Sequence, residues 1–300
     1  MCAAKKTTKP AETVAENTTS KMLFNHLYEA CNILRGPINQ DEYKTYVIPL
    51  LFFKRISDTY DEETALAEEQ YGEDVVDFDE DELHTFMIPD GCHWSDVRDR
   101  SENLGAAIVG AMRGIELANP DTLYGVLSMF SAQKWTDKKN LSDGKIRDLI
   151  EHLSTRRLGN NDYPADLMGD AYEILLKKFA DDSKAQAGEF YTPRSVVSLL
   201  VRILDPKPGE TVYDPACGSA GFLCEAFAYM QEQIKSVSDS DTLQQNTFFG
   251  KEKKGLPYII ATMNMIFHGV AAPNIIRGNT LAENLSSIQE RDRKHVILAN

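Results

Sequence analysis

Apolar positions recur at helical spacing through the first half of the chain and in short runs through the second. From Lys21 onward, Leu23, Leu27, Cys31 and Leu34 fall on one face of a helix, and Gly36-Pro37 ends it because proline cannot continue the hydrogen-bond ladder. A second helix is expected after the acidic pair Asp41-Glu42, with Tyr43, Tyr46, Val47, Leu50, Leu51 and Ile56 as its apolar face, and Pro49 should bend or divide it. Leu104, Ala107, Ile108, Ala111 and Ile115 repeat the spacing. Residues 1–20 offer almost no large apolar side chain to offset the entropy of ordering, so a disordered tail is expected there and a mainly helical domain over 21–160.

Leu158-Gly159-Asn160-Asn161-Asp162-Tyr163-Pro164 collects turn formers and marks the expected boundary to a second domain, 161–300. Beyond it the pattern alternates. Helices are expected near 165–180 and at 193–204, the latter capped by Thr192 with Pro193 in its first turn. Thr211-Val212-Tyr213, Thr247-Phe248-Phe249, Asn274-Ile275-Ile276 and His295-Val296-Ile297-Leu298 read as strands, with helices at 220–235 and 256–268 among them. Strand and helix in alternation predict a parallel, doubly wound α/β sheet behind the helical front domain.

Charge changes this picture in one place. The formal net charge is -14, which suits a polyanion-binding protein poorly, but Asp58 to Glu102 holds seventeen acidic residues against Arg98 and Arg100. That stretch alone carries -15, and the rest sums to about +1. Residues 58–102 are therefore expected to form a solvated, partly flexible insertion. Cys2, Cys31, Cys92, Cys217 and Cys224 include no C-x-x-C pair, so a zinc site or disulfide framework is not indicated, and reduced thiols are expected. No run of about 18 apolar residues and no secretion signal is visible, so no membrane association and a cytoplasmic location are expected.

In an open parallel sheet, ligands bind beyond the carboxyl ends of the strands. After the first expected strand stands Asp214-Pro215-Ala216-Cys217-Gly218-Ser219-Ala220-Gly221-Phe222-Leu223: an acid able to hold a cationic or hydroxyl-bearing ligand, then small residues that let a ligand approach the backbone at a helix N-terminus. The string is neither G-x-G-x-x-G nor a P-loop, which disfavours a dinucleotide or a nucleoside triphosphate. After the second strand comes Gly250-Lys251-Glu252, whose carboxylate is placed to accept from both hydroxyls of a ribose.

The Asp214–Leu223 string resembles the cofactor motif of amino-methylating DNA methyltransferases, and Gly188-Glu189-Phe190-Tyr191-Thr192-Pro193-Arg194 resembles its companion in the subgroup where cofactor segments precede the catalytic one. Leu34-Arg35-Gly36, Glu42-Tyr43-Lys44, the run Leu50 to Asp58, Phe86-Met87-Ile88-Pro89 before Trp94, and Gly169-Asp170-Ala171-Tyr172-Glu173 are similar to modification subunits of type I restriction-modification systems. The resemblance implies a Rossmann-like methyltransferase domain, incomplete here, that moves a methyl group from S-adenosyl-L-methionine to adenine N6 in double-stranded DNA. The partners it implies are a specificity subunit, a restriction subunit and a second modification subunit.

Residue by residue, the resemblance implies that Glu189, Phe190, Tyr191, Thr192, Pro193 and Arg194 form the methionine end of the donor site, with the Thr192 hydroxyl meeting the carboxylate. Asp214 would face the ammonium group, Gly218, Ser219, Ala220 and Gly221 would form the close-approach floor, Glu252 would bind the ribose, and Asn279 would meet the adenine ring where the family often has Asp. Asn300 would be the catalytic acceptor for the target amine, the first residue of an Asn-Pro-Pro-aromatic motif of which nothing more is present. His295, where the family often has Asp, is expected to serve structure at a strand start. These 300 residues are accordingly expected to be inactive by themselves, and the other reading is a non-catalytic module that binds cofactor or partner subunits.

Overall fold

The computed structural model describes residues 11–72, 83–128, 130, 132–182, 192–270, 272–284, 286 and 288–300. Helix α1 (Ala11–Leu34) buries Leu23, Leu27, Ala30, Cys31 and Leu34, the face predicted by their spacing. It starts at Ala11, so the second half of the expected disordered tail is helical, and residues 1–10 lie outside the described residues. Asp41 and Glu42 sit in a short 3-10 turn ahead of α2 (Lys44–Tyr71) rather than in its first turn. Pro49 lies inside α2 without dividing it. The lost ladder bond falls in a stretch whose residues from Tyr46 to Thr59 are all buried, so packing overrides the local break.

Where it is described, the acidic stretch is largely exposed but anchored to the core by its apolar residues. Asp58 to Tyr71 continue α2, and Phe86, Ile88, Trp94 and Val97 pack into the same core as α1 and α2. The indole of Trp94 meets Phe53 at 5.3 Å and donates to Ser154 Oγ at 2.8 Å. Local charge misled because it says nothing of the apolar residues interleaved with it. Residues 73–82 lie outside the described residues. Helices α3 (Leu104–Ala118) and α4 (Asp143–Ser154) complete the front half, the latter capped by Ser142 accepting from the Lys145 amide.

The linker rich in turn formers is pinned to α2. Buried Arg55 donates to the carbonyls of Leu158 and Tyr163 and to Asn160 Oδ1, and Asp58, ion-paired with Lys54, accepts from the Leu158 amide at 2.6 Å. Glu62 accepts from Asn161 N at 3.1 Å and covers Gly159, where an added Cβ would lie 1.9 Å from its carboxylate. Past the linker, α5 (Ala165–Asp182) packs back on the helical half through Met168, Ala171, Tyr172, Leu175 and Phe179. The two expected domains therefore interlock, with α5 following the linker in sequence and belonging to the first core in space.

The second core lies around a four-stranded sheet of β1 (Val212–Asp214), β2 (Phe248–Glu252), β3 (Asn274–Arg277) and β4 (Val296–Ile297), ordered β3-β2-β1-β4 and parallel throughout. All four strands were legible as β-rich apolar runs. Helices α6 (Arg194–Leu204), α7 (Gly221–Gln231), α8 (Val237–Asn246) and α9 (Gly255–Phe267) connect and cover them. Helix α9 serves both cores, giving Ile259, Met263 and Phe267 to the first and Ala261 and Met265 to the second. His295 locks the start of β4, with Nδ1 accepting from Thr211 N at 3.0 Å and its own N–H reaching Thr211 Oγ1 at 3.2 Å. Together these elements give a Rossmann-like domain, still incomplete, behind a helical front domain. Four cysteines, Cys31, Cys92, Cys217 and Cys224, are free thiols, and no helix among the described residues is long and apolar enough to cross a membrane.

Candidate functional site

The chain leaves β1 toward β2 and β3 on one side and returns as β4 on the other, so a crevice opens at the carboxyl ends of β1 and β4. A cleft of about 730 Å³ lies there. Its floor is the loop after β1, which turns twice through left-handed backbone, at Gly218 (φ 55°) and at Ala220 (φ 63°) just before α7. The loop is held by its neighbours: Cys217 N donates to Lys251 O at 3.0 Å, Thr280 Oγ1 to Pro215 O at 2.5 Å, and the fully buried Asn264 amide to Ser219 O at 2.8 Å. Gly250 lets the second strand approach, since a Cβ there would lie 2.5 Å from Ile275 Cδ1. At Gly218 and Gly221 an added Cβ would meet nothing within 4 Å, and both line the cleft.

Two carboxylates flank this floor. Asp214, at the end of β1, is buried and accepts from Ala216 N at 3.0 Å. Burial pushes its pKa up to about 6, against the Ala216 N–H, and nearby Glu252 adds to the rise. Glu252 is fixed by backbone, with Oε2 accepting from Gly218 N at 3.1 Å and Oε1 from Lys254 N at 2.8 Å. Each carboxylate oxygen keeps a further lone pair for a ligand hydroxyl.

Thr192 does not cap α6. Pro193 occupies the cap position with extended backbone, and the Thr192 hydroxyl instead accepts from Asn300 Nδ2 at 2.8 Å. Thr192, Pro193 and Arg194, Asp214, Gly218, Ser219 and Gly221, Glu252 and Asn300 all line the cleft, although they come from four separate segments. Ala220 is buried beneath it. Asn279 is exposed and does not line it, because the β3 loop is turned so that Thr280, not Asn279, meets the β1 loop. Glu189, Phe190 and Tyr191 lie outside the described residues.

Sequence reasoning missed the opposite wall. Lys44 from the start of α2, Glu173, Leu176 and Phe179 from α5, Glu225 from α7 and Pro257 and Ile260 from α9 also line the cleft. The string Gly169–Glu173 and the three-residue spacing of Glu173, Leu176 and Phe179 were available as signals, but only tertiary packing turns that helix face toward the sheet.

Two family models account for most of the chain: HsdM N-terminal domain over residues 23–153 and N-6 DNA Methylase over residues 164–300. The chain belongs to the methylase-subunit family of type I restriction enzymes. Among these methylase subunits it is 33% identical over 271 residues to the EcoEI subunit of Escherichia coli, covering 85% of this chain and 50% of that protein. The EcoKI methylase subunit of Escherichia coli is 27% identical over 292 residues, covering 93% and 49%. The type I methyltransferase subunit of Streptococcus thermophilus shares its fold with a TM-score of 0.73 at 26% identity, over 93% of this chain and 63% of that one. A chain from an assembled type I system gives 0.63 at 28% identity, over 94% and 55%. The chain spans about half the length of the curated methylase subunits it matches.

Proposed function

We propose that the cleft binds S-adenosyl-L-methionine and that the chain serves methyl transfer to adenine N6 of double-stranded DNA, in an assembly with specificity and restriction subunits and a second modification subunit. The observation that carries this reading is the pair of acids around the small-residue floor: a buried Asp214 that has one backbone donor and no ion-pair partner among the described residues, and a backbone-fixed Glu252. A zwitterionic amino acid joined to a ribose fits that set. Asp214 would take the ammonium, Glu252 the ribose hydroxyls, and the amides at the start of α7 and the Thr192 hydroxyl the carboxylate. The apolar side chains of the lining, Leu176, Phe179, Pro257 and Ile260, would suit the flat adenine ring, and Asn279 is not among the lining residues.

When bound, the donor supplies an electrophilic methyl group. The chain's own share is alignment. An adenine amine is a weak nucleophile because its lone pair is delocalised into the ring, so an acceptor that holds its hydrogens in line lowers the barrier. Asn300, whose amide nitrogen donates to Thr192 and whose carbonyl takes no part in that bond, would be such an acceptor. A base must leave the duplex stack to reach it.

Calorimetric titration with S-adenosyl-L-methionine tests the reading. Glu252→Ala should weaken binding by about 1.5 to 3 kcal/mol through lost charge-assisted hydrogen bonds. Equal affinity in the variant would remove Glu252 from the site. Mass spectrometry of DNA methylated by the subunit in complex with its specificity subunit should show N6-methyladenine, and methylcytosine would refute the adenine assignment.

A further inference from the structure

Arg194, the first residue of α6, is the meeting point of three helices. One guanidinium nitrogen lies 2.5 Å from Asp170 Oδ1 and 3.8 Å from Glu173 Oε2, both on α5, and Nε is 3.7 Å from Glu225 Oε2 on α7. His268, just past α9, brings Nε2 to 3.8 Å from the other Glu173 oxygen. It can pack there because Gly169 has no side chain, as a Cβ would lie 2.6 Å from the imidazole. Burial opposes the Arg194 charge, but Glu173 first and then Asp170 and Glu225 outweigh it and hold the guanidinium protonated.

Sequence reasoning placed Arg194 among donor contacts. With three carboxylates around it, the guanidinium has no net positive charge to offer a ligand's carboxylate. What it does have is position. Helix α5 is built into the first core, α7 begins at the cleft floor, and Arg194 directly follows Thr192-Pro193. The planar fork faces acids on two helices with separate nitrogens in fixed geometry, whereas a lysine ammonium offers a single nitrogen.

We propose that Arg194 is a positioning residue: by gripping α5 and α7 together it fixes the Thr192-Pro193 turn, and with it the Thr192–Asn300 contact, so that the cleft is formed before its ligand arrives. The proposal rests on the donor-binding reading above, and its test has a ligand-free arm so that the two can fail separately.

Hydrogen exchange is measured on the unliganded chain and on Arg194→Gln and Arg194→Lys. The reporters are the Val196 and Val197 amides, which bond to Pro193 O at 2.8 and 3.1 Å. In the Gln variant these amides should exchange about tenfold faster while β1 and the interior of α7 keep their rates, and the Lys variant should recover part of the protection. Titration with S-adenosyl-L-methionine should show a parallel loss of about tenfold in affinity, again partly recovered by Lys. Unchanged exchange at Val196 and Val197 overturns the proposal. Uniformly faster exchange in both cores also overturns it, since that is the signature of general stability. If the Gln variant does not fold, the Lys variant carries the same comparison at smaller amplitude. Should the unaltered chain bind no donor, the donor reading falls and the exchange arm still decides the role of Arg194.

Discussion

Asp58 and Asp214 are buried to almost the same degree, 5% and 2% exposed, in surroundings that differ in kind. Asp58 sits where α2 pins the linker, and it has both a cation, Lys54, and a backbone donor, Leu158 N–H. Asp214 sits at the carboxyl end of β1 with one backbone donor, a second carboxylate nearby and no cation among the described residues. Burying a charge is costly unless it is paired, so the first site is satisfied by the fold alone, while the second keeps an open position that the proposed donor would fill. The difference separates a residue that holds the molecule together from one proposed to meet a ligand.

The largest expected effect breaks the satisfied side of that comparison. Lys54 is itself only 4% exposed, so Lys54→Met would leave the Asp58 carboxylate buried without its cation. Removing one partner of a buried pair should cost about 3 to 5 kcal/mol, read as a lower denaturant midpoint with an unchanged slope. A loss under about 1 kcal/mol would show that the Leu158 amide and the neighbouring Arg55 suffice, and that the ion pair is not what holds the linker.

The two aspartates also mark what could be read without coordinates. Asp214 stood at the end of a predicted strand, so the sheet rule placed it at the ligand edge, and β1 to β4 fell where the apolar runs put them. Periodicity reports which face of an element is apolar and alternation reports a parallel sheet, which is why the fold class and the four segments on the sheet side of the cleft were legible. Asp58 was read as part of a solvated acidic run, because charge counted along the chain cannot show that Lys54, one turn earlier, and Leu158, a hundred residues later, would meet it. The opposite cleft wall was hidden for the same reason: Glu173, Leu176 and Phe179 lie on a helix that belongs by packing to the helical half, and they reach the site only because α5 packs against α9. Asn279 follows its strand as expected but does not line the cleft, since a position after a strand guarantees the right edge of the sheet but not the direction of the loop.

The next effect sharpens the unsatisfied side. With its pKa raised to about 6, Asp214 is protonated in the free fold over a range where an ordinary carboxylate is ionised. The raised value means that stability is fully present at low pH and declines as pH climbs from the unfolded value near 4 toward about 6, by roughly 3 kcal/mol. Asp214→Asn should therefore stabilise the unliganded chain above pH 6 and leave it little changed at pH 4, as followed by denaturant titration at both values. Donor affinity should run the opposite way. A cationic ammonium selects the ionised carboxylate, so binding is full above about pH 6 and falls by up to tenfold per unit below it. Affinity that is flat between pH 5 and 8 would mean that the ammonium lies elsewhere.

The smallest effect asks whether every buried polar group left open marks a function. Tyr172 on α5 is fully buried in the first core against Phe267, with ring centroids 4.7 Å apart, and its hydroxyl has no hydrogen-bond partner. Unlike Asp214 it does not line the cleft, so no ligand is at hand to complete it. Its hydroxyl should then be a plain cost. Tyr172→Phe keeps the ring contacts and removes one desolvated polar group, which should raise stability by about 1 kcal/mol and leave donor affinity unchanged. The comparison of the two aspartates predicts that only open groups facing the cleft are used. A variant that folds as well but binds the donor several-fold more weakly would show that the Tyr172 hydroxyl is engaged when the site fills, and would extend the ligand-completed region from the sheet edge into the helical half.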